Sequence, residues 1–237
     1  MISEEVKKAR EASILKALEY IEDGMVIAFG TGTTMAQAVG YIKKKVQEKE
    51  MDLIFIPTSL QSRQLLLENG LRVSSLYEYP QPDLTIDSFD QSDKDGNVIK
   101  GGGGAMLMEK VVAQASKKVI FVADYLKLVE RLSIPVPLEI LKEAYPHVNR
   151  VLTQMKLILK LRESTGKIGP VISENGNLLG DVDAGEIEDP EGLDNLLRSI
   201  AGILETGLFP KLADKIIIGE RDNSIKEINI ERKRIKM

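Results

Sequence analysis

The sequence predicts an α/β fold, a wound parallel sheet followed by a smaller α+β portion, and three observations predict it. Short apolar runs alternate with helix-length amphipathic segments through the first half of the chain. Two of those runs lead directly into loops built from Gly, Thr and Ser, at residues 30–34 and 58–59. Beyond Leu132 the pattern changes to closely spaced prolines, a helix-like stretch and an Asn-Gly pair between two apolar runs.

The elements follow in order. Ser3 is suited to cap a first helix, with Glu4 and Glu5 in its first turn and Ile14, Ala17, Leu18 and Ile21 on one face. Asp23-Gly24 ends it. MVIAFG (25–30) reads as a buried strand, and Met35, Val39, Ile42 and Val46 form the apolar face of the helix after the loop. The unit repeats as LIFIP (53–57), Thr58-Ser59, a helix closing at Asn69-Gly70 and a short strand at 71–73. LTID (84–87) and VIFVAD (119–124) end two more strands at Asp87 and Asp124. Ligands of open parallel sheets collect beyond the carboxyl ends of the strands, so both Gly/Thr/Ser loops, Asp87 and Asp124 are expected to meet there.

IPVP (134–137) predicts an extended segment leaving the first sheet, and a helix is expected over 138–161. VISENGNLLGDVD reads as a hairpin around Asn175-Gly176, 190–200 as a helix and 212–219 as one more buried strand. The expected division is a large domain of residues 1–132 and 207–237 and a small α+β domain of 133–206.

Composition excludes several functions. Lys+Arg at 32 against Asp+Glu at 36 leaves a net charge of only −4, which argues against a chain built to grip nucleic acid or anionic membrane. The basic end ERKRIKM reads as a solvated strand or fraying tail. With no Cys, disulfides and thiol catalysis are absent. The single histidine, His147, has no Gly-x-Ser-x-Gly partner for a triad and no second histidine for a zinc site. Acid and base work therefore falls to carboxylates or lysines. No run reaches the ~18 apolar residues of a membrane helix, and a cytoplasmic location is expected.

The chemistry concentrates between Asp87 and Lys127, where DSFDQSDKDGNVIKGGGGAMLMEK supplies Asp87, Asp90, Lys100, four glycines and Glu109. Carboxylates move protons, a lysine stabilises a phosphate or a developing oxyanion, and glycines let the backbone approach a small ligand. Taken alone, Glu109 also reads as a surface residue of a helix, Asp87 and Asp90 as turn caps, and the glycines as a linker.

FGTGTTMAQAV, LTIDSFDQ, IKGGGGAMLMEKVVA, FVADYLKLV, IPVPLEI, ISENGNLLGDV and ETGLFPKLAD follow one another as the matching segments do in ribose-5-phosphate isomerase of the A type. The chain resembles that family over essentially its whole length. The resemblance implies a Rossmann-like large domain beside a small α+β domain. It also implies metal-free, cofactor-free interconversion of D-ribose 5-phosphate and D-ribulose 5-phosphate through an enediolate, in the non-oxidative pentose phosphate pathway, by a homodimer or homotetramer. Glu109 is then the proton-transferring base, with Asp87, Asp90 and Lys100 assisting. Substrate contacts fall to Lys7, Thr31, Gly32, Thr33, Thr34, Ser88, Phe89, Gly101, Gly102, Gly103 and Lys127. A carboxylate near apolar Met106 and Met108 is expected to have its pKa raised towards neutrality. The chain departs from the family pattern at Ser88, Phe89 and Gln91, which stand where Gly, Ala and Glu are usual, and at Tyr125-Leu126. The alternative is a non-catalytic sugar-phosphate-binding regulator of the same fold.

Overall fold

The computed structural model describes residues 3–234, and of the basic terminal segment only 235–237 lie outside the described residues. Helix α1 (Glu4–Leu18) is capped by Ser3, whose side chain accepts from the Val6 amide. The chain continues through β1 (Val26–Phe29), α2 (Thr33–Lys49), β2 (Ile54–Pro57), α3 (Leu60–Glu68), β3 (Arg72–Val73), β4 (Leu84–Ser88), β5 (Gln91–Ser92), β6 (Asn97–Ile99), α4 (Met106–Ala115) and β7 (Lys118–Asp124). Then come β8 (Val136–Ile140), α5 (Tyr145–Gln154), β9 (Ile158–Leu161), β10 (Glu163–Ser164), β11 (Lys167–Pro170), β12 (Leu178–Asp183) and α6 (Pro190–Arg198). The last elements are β13 (Ile203–Thr206), β14 (Leu208–Pro210), β15 (Lys215–Gly219) and β16 (Ile225–Asn229).

A seven-stranded sheet runs in the order β16-β15-β7-β4-β1-β2-β3, parallel throughout except for β16, which pairs antiparallel with β15 at one edge. Its inner strands are apolar on both faces, as burial under helices on both sides requires. β7 sends Ile120 and Val122 into the core shared with Ile14, Phe29, Ile42 and Phe55, and Phe121 with Val119 and Ala123 into the core shared with Met106, Phe209 and Ile216.

A second sheet, β13-β8-β12-β9, is antiparallel and packs over α5 and α6 through Val136, Leu138, Val148, Leu152, Val182 and Leu197. A three-stranded ribbon, β14-β6-β5, brings residues 208–210 back beside the strand that precedes the glycine run.

Two expectations are corrected. Residues 138–161 are not one helix but β8, a 3₁₀ turn at Lys142–Ala144, α5 and β9. Pro146 is tolerated only in the first helical turn, which fixes the start of α5, and Lys156 adopts a left-handed φ of 60° that stops it. The basic end is not a fraying tail as far as it is described. The Arg232 side chain is buried and donates to the Ala113 and Ser116 carbonyls (2.6 and 3.0 Å) and to Asp214 (3.2 Å). The Asn175-Gly176 turn forms, with Gly176 at φ 84°, flanked by the Ile172–Leu178 bridge and by hydrogen bonds from the Ser173 amide to the Asn177 carbonyl (2.8 Å) and from the Leu179 amide to the Val171 carbonyl (3.3 Å).

Candidate active site

The two Gly/Thr/Ser loops meet at the carboxyl ends of β1 and β2. Thr31 Oγ1 lies 2.8 Å from Thr58 Oγ1 and donates to Ser59 Oγ at 2.7 Å, so the hydroxyls fix the turn that opens α2. The first turn of a helix directs amide N–H groups and a partial positive charge outward, which suits an anion there.

Beside this loop a lysine is clamped between two carboxylates. Lys100 Nζ lies 3.0 Å from Asp87 Oδ2 and in direct contact with Glu109 Oε2, and all three side chains are buried. Each is set by a different element. Asp87 is the last residue but one of β4 and also accepts from the Ser88 amide at 2.7 Å. It fits because position 30 is glycine: a Cβ there would stand 1.9 Å from Asp87 Oδ1. Lys100 follows β6, its amide donating to the Gly207 carbonyl at 2.9 Å. Glu109 sits in the first turn of α4.

The glycine run between them is a fixed cradle rather than a linker. Gly101 and Gly104 hold φ of 115° and 77°, which side chains of L-residues rarely adopt. The Gly102 amide donates to Asp90 Oδ2 at 2.9 Å, and Arg162 donates to the Gly101 and Gly102 carbonyls at 2.8 and 3.2 Å while paired in a fork with Asp181.

Burial decides the protonation of this cluster. Loss of hydration pushes Glu109 up to about 8; Lys100 opposes the shift and the charges of Asp87 and Asp90 reinforce it. Burial likewise raises Asp87, against the pull of Lys100. For Lys100 burial works downward, but the charges of Asp87 and Glu109 outweigh it and its pKa is raised. The cation is therefore kept, and Glu109 carries a proton that it exchanges near neutral pH.

Thr31, Gly32, Thr33, Thr34, Ser88, Phe89, Asp90, Lys100, Gly101, Gly102, Gly103, Glu109 and Lys127 together line one cleft of about 320 Å³. Asp87 stands behind Lys100 rather than on the wall. Lys7 is not brought to the cleft: its side chain is 58% exposed and pairs with Glu4 at 3.7 Å. Arg10, one helical turn further along α1, lines it instead. Sequence reasoning missed Arg10, and the signal was a charged residue on the apolar stripe between Val6 and Ile14. It also missed Arg162, for which no local pattern exists. Phe89 is buried against Phe121, ring centroids 6.4 Å apart, and Gln91 Oε1 accepts from the Ser133 and Ile134 amides. His147 is exposed on α5 and takes no part.

A helix-opening loop suited to an anion and a buried carboxylate–lysine–carboxylate cluster at the ends of a parallel sheet are the parts of an α/β enzyme of acid–base chemistry on small anionic substrates. The profile of one such family, described as Ribose 5-phosphate isomerase A (phosphoriboisomerase A), matches residues 54–223. Ribose-5-phosphate isomerase A of Archaeoglobus fulgidus is 46% identical over 206 residues, 86% of this chain and 91% of the relative. The enzyme of Thermococcus kodakarensis is 38% identical over 90% of this chain and 95% of its own. Among solved structures, a D-ribose-5-phosphate isomerase in complex with phospho-erythronic acid superposes with a TM-score of 0.91 at 33% identity, covering 94% of this chain and 99% of that one. Ribose 5-phosphate isomerase A from Methanocaldococcus jannaschii gives 0.89 at 31%, with 94% and 99% covered. The chain belongs to the ribose 5-phosphate isomerase A family.

Proposed function

We propose that the chain interconverts D-ribose 5-phosphate and D-ribulose 5-phosphate, with Glu109 as the base that carries the proton between C2 and C1. The observation that carries this reading is the buried Lys100 held between Asp87 and Glu109 on the floor of a cleft whose other end is the Thr31–Thr34 loop. The substrate pairs a phosphate with a carbonyl, and those two ends of the cleft match them.

Starting from the aldose, Glu109, ionised, takes the proton from C2; the electron pair moves into the C1–C2 bond and the carbonyl oxygen becomes the oxyanion of an enediolate. Lys100 and the amides of the glycine run stabilise that charge. A proton then passes between the two oxygens, a role assigned to Asp90 on the cleft wall, and Glu109 returns its proton to C1 to give the ketose. One carboxylate on one face of the planar intermediate performs both carbon transfers. Asp87, lying behind Lys100, holds the ammonium in place rather than touching the sugar. The family carries its activity in its name, and the buried cluster supplies a route to it, so a purely regulatory role is not favoured.

The test is turnover of ribose 5-phosphate to ribulose 5-phosphate with a chelator present, followed together with uptake of solvent deuterium at C1 of the ketose. Isomerisation with exchange that survives the chelator is expected. Loss of activity on chelation overturns the metal-free route, and no turnover at any enzyme concentration overturns the reading.

A further inference from the structure

Residues 205–209, at the junction of β13 and β14, return to the buried cluster from far along the chain and touch both elements that build it. The Gly207 carbonyl accepts from the Lys100 amide at 2.9 Å, an approach so close that a Cβ on Gly207 would stand 2.3 Å from the Lys100 carbonyl oxygen. Two residues earlier, Glu205 accepts from Lys110 Nζ at 2.6 Å, and Asp194 of α6 lies 3.5 Å from the same ammonium. Lys110 follows Glu109 on α4, its side chain is 4% exposed, and the chemistry above leaves it without a task. Two residues later, Phe209 sets its ring beneath both lysines. Lys110 Nζ is 4.8 Å and Lys100 Nζ 5.3 Å from the ring centroid.

The face of an aromatic ring carries partial negative charge and attracts an ammonium within about 6 Å, more strongly where water is excluded. Phe209 and both lysine side chains are buried, so the two contacts are poorly screened. Carboxylates neutralise each lysine, but an ammonium on a flexible four-carbon stem is a point charge whose salt bridges set its position loosely, and a buried pair adds little net stability. The ring supplies the missing constraint. Its own place is fixed by pairing with Val98 in β6, the strand that leads into Lys100, and by edge contact with Phe121, centroids 6.3 Å apart. One rigid group therefore locates the lysine that meets Glu109 and, through Lys110, the helix that presents Glu109. We propose that Phe209 is a positioning residue of the isomerisation, a shared seat for Lys100 and Lys110 that keeps the ammonium and the carboxylate of the cluster in register. Its effect on rate rests on the isomerase reading; its hold on the two lysines does not.

The experiment replaces Phe209 by mono-, di- and trifluorophenylalanine, which nearly keep its shape while draining negative charge from the ring face, and by Leu, which keeps apolar bulk without a ring. Across the fluorinated series kcat for ribose 5-phosphate is expected to fall stepwise, by roughly 2- to 30-fold at the trifluoro ring, the size of a cation–π contact, with KM within about twofold. The melting temperature, which needs no substrate, falls in the same order. Phe209→Leu loses at least as much in kcat, and the fluorinated series decides the matter if Leu at this position does not fold. Trifluorophenylalanine at Phe55, a buried ring in edge contact with Phe29 at 6.4 Å, is the control and leaves kcat and melting temperature at wild-type values. A flat kcat across the series overturns the proposal, because a loss confined to Phe209→Leu reports packing alone, and so does a rise in KM at constant kcat. If the wild type does not isomerise the sugar and the melting temperature still falls stepwise, the isomerase reading fails and the seat of the two lysines stands; a flat melting temperature in that case overturns both.

Discussion

Replacing Glu109 by Gln separates chemistry from structure, because at neutral pH the two side chains are nearly the same object to the fold. With its pKa pushed up to about 8, Glu109 is mostly a neutral acid at pH 7, and Gln matches it in size and charge. The variant is therefore expected to fold, to match the wild type's stability only at or below about pH 4.5, and to lose kcat by the roughly 10²- to 10⁴-fold of a missing general base. The sign of the pH effects follows from the raised folded-state pKa. Between its ordinary 4.5 and about 8 the folded protein holds the Glu109 proton more tightly than the unfolded chain does. That stabilisation is fully present below about 4.5 and is lost progressively as pH rises to about 8, so across that window the wild type should weaken relative to Glu109→Gln by on the order of a few kcal/mol, and then level. Activity runs the other way. Only about one-tenth of Glu109 is ionised at pH 7, so kcat/KM should rise about tenfold between pH 7 and pH 9 and then level. The assays are initial rates from pH 6 to 9 and melting curves of both proteins from pH 4 to 9. A flat wild-type profile together with near wild-type turnover by the variant would refute the assignment and leave Asp90 as the base.

Thr33→Ala should raise the KM for ribose 5-phosphate by several-fold with kcat nearly unchanged, because its hydroxyl and the helix start behind it face the anion end; steady-state kinetics with an unaltered KM would put the phosphate elsewhere. Arg162→Ala removes the fork to Asp181 and two bonds to the glycine run, so kcat/KM should fall roughly tenfold and stability by about 1–3 kcal/mol. Wild-type values of both in that variant would mean that the run holds its shape unaided.

What the sequence made legible was local. Strand, loop and helix from 25 to 49 and from 53 to 70 are each set within a dozen residues, by apolar runs and by the Gly, Thr and Ser between them. The cleft residues could be found because most follow directly from strand ends. The part that could not be read depends on partners far along the chain. Glu139 is fully buried in β8, and its Oε1 accepts from Ser173, Asn175 and Asn177, more than thirty residues later, so its segment reads as amphipathic helix in isolation. Lys100 is positioned by Gly207, and the α4 helix that carries Glu109 has its final carbonyls held by Arg232. Arg10 was obscured because the role nearest in kind went to the exposed Lys7.

The geometry also explains why one lysine serves two acids. Before proton removal the negative charge that matters is on Glu109; afterwards Glu109 is neutral and the charge is on an oxygen of the enediolate. If the sugar oxygens lie against the same ammonium, the charge moves between two sites that share Lys100 as counter-ion, and the cation need not move. Asp87 then has a definite energetic task. When Glu109 becomes neutral, the Asp87–Lys100 pair, 3.0 Å apart, keeps the buried ammonium compensated until the enediolate charge has formed. Preorganisation of this kind avoids reorganising dipoles during the step, which is where a water-filled site loses its advantage. Asp87→Asn tests it: geometry is nearly kept, but Lys100 loses its permanent partner. The pKa of Lys100 should drop, and kcat should fall while KM for the phosphate end stays near its wild-type value. A rise in KM alone would mean that Asp87 contributes to binding instead.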